Sequence, residues 1–62
     1  MVDMGVLVGT IRRFGLAGPA YEIAGGAEPT PDGEPQMTIV SFESGERLAY
    51  PVAAILADPA ED

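Results

Sequence analysis

Apolar residues alternate with polar ones, or gather as β-branched runs, in four short stretches, and only once does the spacing turn helical. Residues 5–14 carry Val6, Val8, Thr10 and Ile11 and predict a first strand, with Gly9 marking a bulge or a close backbone approach. Phe14-Gly15-Leu16-Ala17-Gly18-Pro19 predicts a corner, because glycine supplies positive φ and proline fixes its own. Residues 20–24 predict a second strand with Tyr21 and Ile23 on one face and Glu22 on the other. Residues 37–42 (MTIVSF) and 46–50 predict the third and fourth. Residues 25–35 (GGAEPTPDGEP) hold three prolines, three glycines and three acids, which excludes a central strand and predicts a mobile loop.

Glu43-Ser44-Gly45 suits a three-residue hairpin loop, a type I turn followed by a left-handed glycine. That loop would place Phe42 opposite Glu46, Val40 opposite Leu48 and Thr38 opposite Tyr50, and so gather Val40, Phe42, Leu48 and Tyr50 into one apolar stripe. After Tyr50 the period changes. Residues 51–57 (PVAAILA) suit a short helix with Pro51 at its first position, and Val52, Ile55 and Leu56 fall on one side at spacings of three and four. Asp58-Pro59 should stop it, since the residue before proline avoids the α region. The expected fold is mainly β: a small four-stranded antiparallel, strongly bent sheet, an SH3-like open barrel, with a short C-terminal helix. Its core would draw on Val6, Val8, Ile11, Phe14, Tyr21, Ile23, Ile39, Val40, Phe42, Leu48, Tyr50, Val52, Ile55 and Leu56. Residues 1–62 read as one small domain, with residues 60–62 a frayed acidic tail.

Composition narrows the chemistry. The chain has 62 residues, no Cys and no His, and its three cations, Arg12, Arg13 and Arg47, face ten carboxylates for a net charge of −7. Disulfides are therefore excluded, and so is the commonest transition-metal ligand. Without His or Cys there is no Ser-His or Cys-His nucleophile pair, and without Lys there is no P-loop lysine and no Schiff base. Asp32-Gly33-Glu34 lacks the run of oxygen ligands that a calcium loop supplies and reads as a solvated turn. No enzymatic activity, cofactor or metal is expected. The acidic balance disfavours nucleic acid and anionic membranes and favours a basic protein partner. The opening stretch has an acid, Asp3, where a signal peptide needs basic residues, which points to the cytoplasm.

A few residues stand out against that background. Arg12 and Arg13 are neighbours, so in a strand they point to opposite faces. Either could pair with Glu22 or anchor a partner's anionic group. Tyr21 and Tyr50 could rim the core or anchor an interface. Val52, Ile55 and Leu56 could cover the sheet or dock on another chain. These seven are the candidate partner-binding residues.

Gly9-Thr10-Ile11-Arg12-Arg13-Phe14-Gly15, then Gly18-Pro19-Ala20-Tyr21-Glu22, Glu43-Ser44-Gly45-Glu46, Tyr50-Pro51 and Ala57-Asp58-Pro59 resemble an uncharacterised family of short bacterial proteins, a domain of unknown function. The resemblance implies one domain beginning near Met4, varying in length around residues 25–35. It carries over no catalytic or binding residue. Three functions are open. The first is a small acidic binding module that neutralises a basic partner, with a type II antitoxin as the concrete form. The second is a self-associating structural or accessory module, expected to be a two-fold homodimer that buries Met37, Ile39 and part of the helix. The third is nucleic-acid binding through Arg12, Arg13 and Arg47 gathered on one face.

Overall fold

A computed structural model describes residues 4–60. It is mainly β: four antiparallel strands in one sheet, in the sequential order β1-β2-β3-β4, and one short C-terminal helix. The strands are β1 (Ile11–Arg13), β2 (Ala20–Ala27), β3 (Gln36–Ser41) and β4 (Arg47–Pro51), and the helix is α1 (Val52–Ala57). The sheet is not closed into a barrel. The chain leaves β4 as α1, packs it on one face of the sheet and returns to the outer side of β1. There Arg13 N donates to Pro59 O at 3.2 Å and Arg12 forms a bridge with Ala60. The tail thus includes at its start a residue that seals an edge, while residues 61–62 lie outside the described chain.

The first strand is shorter than the β-branched run suggests. Met4–Val6 is a 3-10 turn, and a further turn follows before β1 begins at Ile11. Leu7 enters the core from this segment while Val6 and Val8 stay exposed. By contrast β2 is longer than its apolar pattern and runs through Gly25 and Gly26 to Ala27. A register shift between Ile23 and Gly25 leaves Ala24 unpaired, a bulge that keeps both halves of the strand bonded to β3. The connecting loop is therefore residues 28–35.

The β3–β4 register differs by one residue from the expected one. Val40 pairs with Arg47, Ile39 with Leu48, Thr38 with Ala49 and Met37 with Tyr50. The hairpin loop holds four residues, 42–45, closed by Gly45 N donating to Ser41 O at 2.7 Å and Ser41 N donating to Glu46 O at 3.0 Å. Gly45 has φ 75°, the left-handed value its place in the turn requires. The physical reason for the slip lies in β3, both of whose faces are apolar. The face carrying Met37, Ile39 and Ser41 turns inward, with Tyr50 opposite Met37, and the face carrying Val40 and Phe42 turns outward.

The core comprises Leu7, Tyr21, Ile23, Met37, Ile39, Val52 and Ile55, with Phe14 and Tyr50 packed against it. Met37 and Ile39 are buried inside the chain itself, so a dimer seam cannot run across them as expected. Of the expected core residues, Val6, Val8, Phe42, Leu48 and Leu56 are exposed. Pro51 is the last residue of β4 and the N-cap of α1, with ψ 138°, rather than its first helical residue. Asp58 ends the helix in extended conformation, as the Asp-Pro pair dictates.

Candidate functional site

Six of the seven singled-out residues lie on the covered side of the sheet or in the helix that covers it. β1 and β2 pair Arg12 with Tyr21, which places both on the inner face, and β4 brings Tyr50 to the same side. The corner after β1 turns Phe14 inward. It is tight enough that a Cβ at Gly18 would run into the Phe14 carbonyl, so glycine is required there. Phe14, Tyr21 and Tyr50 form an aromatic triangle, with ring centroids 4.5 Å apart for Phe14–Tyr21, 5.3 Å for Phe14–Tyr50 and 5.6 Å for Tyr21–Tyr50. The two contacts to Tyr50 are edge-on, the arrangement that ring quadrupoles favour.

Asp58 sits at the polar end of this triangle. Its Oδ2 accepts the Tyr21 hydroxyl at 2.8 Å and the Tyr50 hydroxyl at 3.2 Å, and its Oδ1 accepts the Gly15 amide at 3.1 Å. Burial, reinforced by the neighbouring Asp58 carboxylate, pushes both phenols above their ordinary ionisation range, Tyr21 the more strongly.

Arg12 closes the same end from the other side. Its Nη1 donates to Ile55 O at 3.1 Å and Asp58 O at 2.9 Å. Ile55 O lies in the last turn of α1, where it also accepts the Asp58 N–H, and Asp58 O belongs to the extended residue that follows, so the guanidinium sits at the helix C-terminus, where a cation is favoured. The Nε atom of Arg12 is buried without a hydrogen-bond partner. Arg13 lies on the opposite face by strand alternation, and its Nη1 donates to Gly18 O at 3.3 Å. Arg47 is exposed on the outer face of β4. The three arginines are therefore not gathered on one face, which removes the geometry that nucleic-acid binding through them would need.

The helix residues divide. Val52 and Ile55 are buried in the chain's own core, and only Leu56 of the three is exposed. Sequence reading missed Asp58 as more than a helix stop, because every partner of its side chain lies at least eight residues away along the chain. No pocket opens on the described surface, and no three acidic side chains among the described residues stand close enough to hold a metal ion. No helix among the described residues is long and apolar enough to cross a membrane. The Arg12–Asp58 cluster thus fastens α1 and residues 58–60 onto the sheet. Apart from Arg12 Nε, its side-chain polar atoms are directed at groups of the same chain, and the outward chemistry of the molecule is carried elsewhere.

Two comparisons bear on the chain. The model of the "Family of unknown function (DUF5397)" matches residues 2–62. An uncharacterised protein of Haemophilus influenzae is 37% identical over 51 residues, which cover 82% of this chain and 81% of that protein.

Proposed function

The chain belongs to DUF5397, a bacterial family of unknown function, and from that premise we propose that it is a non-enzymatic acidic binding module that neutralises a basic protein partner in the cytoplasm. The observation that carries this reading is where the charges point. Arg12 and Arg13 direct guanidinium hydrogens at carbonyls of their own chain. Glu28, Asp32 and Glu34 in the 28–35 loop, and Glu43 and Glu46 at the β3–β4 turn, are all exposed. The surface potential is set by these carboxylates, with Arg47 the one exposed cation among the described residues. Such a surface attracts a basic protein at long range and selects against acidic ones. An antitoxin-like inhibitor of a basic nuclease is the concrete form of the proposal.

The test is affinity purification of the tagged protein from its own cells, followed by reconstitution of whatever basic protein co-purifies. Support requires a stoichiometric complex that weakens as salt rises. It also requires that the triple variant Glu28→Gln, Asp32→Gln, Glu34→Gln, which touches no core residue, binds at least tenfold more weakly. The reading is overturned if no basic protein co-purifies, or if the triple variant binds its partner as tightly as the parent.

A further inference from the structure

We propose that the free edge of β4 is a self-pairing surface, on which a second copy of this chain adds its own β4 in antiparallel fashion about a two-fold axis at Ala49. The two edges of the sheet are treated differently. The outer side of β1 is sealed by residues 59–60, whereas β4 ends the strand order with nothing paired beyond it. An open edge presents unpaired donors and acceptors, and natural sheets commonly protect such an edge with lysine, a bulge or a covering segment. β4 is regularly paired to β3 along its length, and Arg47, Leu48 and Ala49 are exposed.

The bonds at the two ends of the ladder fix which groups face outward. Ser41 N donates to Glu46 O at one end of the β3–β4 ladder, and Val52 N donates to Pro35 O at the other, each at 3.0 Å. Antiparallel alternation then turns Leu48 and Tyr50 toward β3. The N–H and C=O of Arg47 and Ala49 point away from the sheet, while the Pro51 carbonyl, at the N-cap of α1, accepts the first bond of the helix. Pro51 has no N–H to offer, and it stands where none is needed.

A two-fold axis at Ala49 matches this set to itself. Ala49 exchanges a pair of bonds with Ala49 of the second copy, and each Arg47 comes opposite the other copy's Pro51, whose carbonyl stays with α1. All five residues of β4 lie within the seam. On the inner face Leu48, 41% exposed in the single chain, comes to lie beside the second copy's Tyr50 and is covered. On the outer face Arg47 reaches the level of the second copy's Pro51. There the chain passes Pro35, the last residue of the acidic 28–35 loop, so Arg47 approaches the end of the sheet from which that loop leaves. An axis at Leu48 would instead bring the two Arg47 side chains to neighbouring positions and set Tyr50 against Glu46. The alternation that leaves these groups outward also predicts that edge pairing costs the β3–β4 ladder nothing.

The seam is small, so sedimentation equilibrium should span about 10 µM to 1 mM, the range suited to a weak contact. The expected result is a shift from the 6.4 kDa of one chain toward twice that mass. Ala49→Pro removes only an outward N–H, so it should keep the parent's circular dichroism and stay at the single-chain mass throughout. If that variant does not fold, Leu48→Lys, at an exposed position of the same seam, takes its place with the same expectation. The chain has no cysteine, so Ala49→Cys gives a unique handle: a short bismaleimide should link it into dimers. Leu16→Cys, in the β1–β2 corner and 93% exposed, should remain unlinked. A single-chain mass for the parent at 1 mM overturns the proposal. So does a folded Ala49→Pro or Leu48→Lys variant that still dimerises, or equal linking at positions 49 and 16.

Discussion

Asp58 receives two hydroxyls and an amide on one carboxylate, and each bond can be removed separately. Tyr21→Phe keeps the ring and its packing and deletes the shorter hydroxyl contact, so it should cost about 1.5–3 kcal/mol, the range for a hydrogen bond to a charged group. Asp58→Ala leaves both phenols and the Gly15 amide without their acceptor and should cost more, about 2–4 kcal/mol. Urea midpoints of the two variants check this order, and equal midpoints for Asp58→Ala and the parent would contradict it. The same contacts set an alkaline limit. Both phenols ionise near 10.0 when unperturbed and above that in the fold. Between those values the folded chain holds protons that the unfolded chain has lost, so stability is full below about pH 10 and declines as pH rises toward the folded values. The urea midpoint should therefore fall between about pH 9 and pH 11, and fall less in Tyr21→Phe, which has lost the more strongly shifted group. At this scale the sequence was half legible. Arg12, Tyr21 and Tyr50 stood out as unusual, but their shared partner is 46, 37 and 8 residues downstream, beyond any local pattern.

Elements were more legible than their registers. Strand number, order of types, the helix and its Asp-Pro stop all follow from short-range spacing, and those are the features local sequence carries. The β3–β4 pairing does not, because a strand apolar on both faces satisfies the period-two rule in either orientation. What decides it is tertiary: α1 and Leu7 need an apolar surface, and Met37 and Ile39 provide it. β2 shows the reverse failure, since Gly25 and Gly26 look like loop and are carried as strand by pairing with β3. Turn chemistry remains a sound guide even where register is not. Gly45→Val should cost about 1–2 kcal/mol, because a β-branched residue is strained at its positive φ, and a thermal melt reads the loss directly. The 28–35 loop should tolerate change. Replacing residues 29–34 with two glycines retains the Pro35 carbonyl that Val52 uses, and closure cost depends weakly on length, so stability should stay within about 1 kcal/mol. Loss of cooperative melting in that variant would show that the loop's internal bonds, Thr30 N to Glu34 O and Gly33 N to Thr30 O, hold more than the loop itself.

The whole molecule is one sheet with one covered face. The inner layer is filled by α1, Leu7 and the aromatic triangle. The outer face carries Ile11, Glu22, Val40 and Arg47 in one row across the four strands. A domain of this length buries only about 60% of the surface its unfolded chain exposes, so few contacts are spare. Residues 58–60 supply an unusual share of them: the acceptor for two phenols, a carbonyl for Arg12, and the strand cover for β1. A chain ended after Ala57 should lose its cooperative melt even though every strand and the whole helix remain. A sharp transition in that shortened chain would show that sheet and helix suffice without the fastening. This dependence was the least legible of all, because Asp58-Pro59 reads from sequence only as a helix stop and Ala60 as the start of a frayed tail.

That fastening also has a direction in time. A ribosome makes β1 first, and the residues that cover its edge and receive Arg12 emerge some 45 residues later. The meander β1-β2-β3-β4 can pair as it emerges, but β1 keeps an open side until Ala60 has cleared the exit tunnel. The nascent protein therefore passes through a stage with both sheet edges unpaired. Protease resistance in ribosome-stalled chains should accordingly arrive in one step, when the linker behind Ala60 becomes long enough to free it, rather than strand by strand.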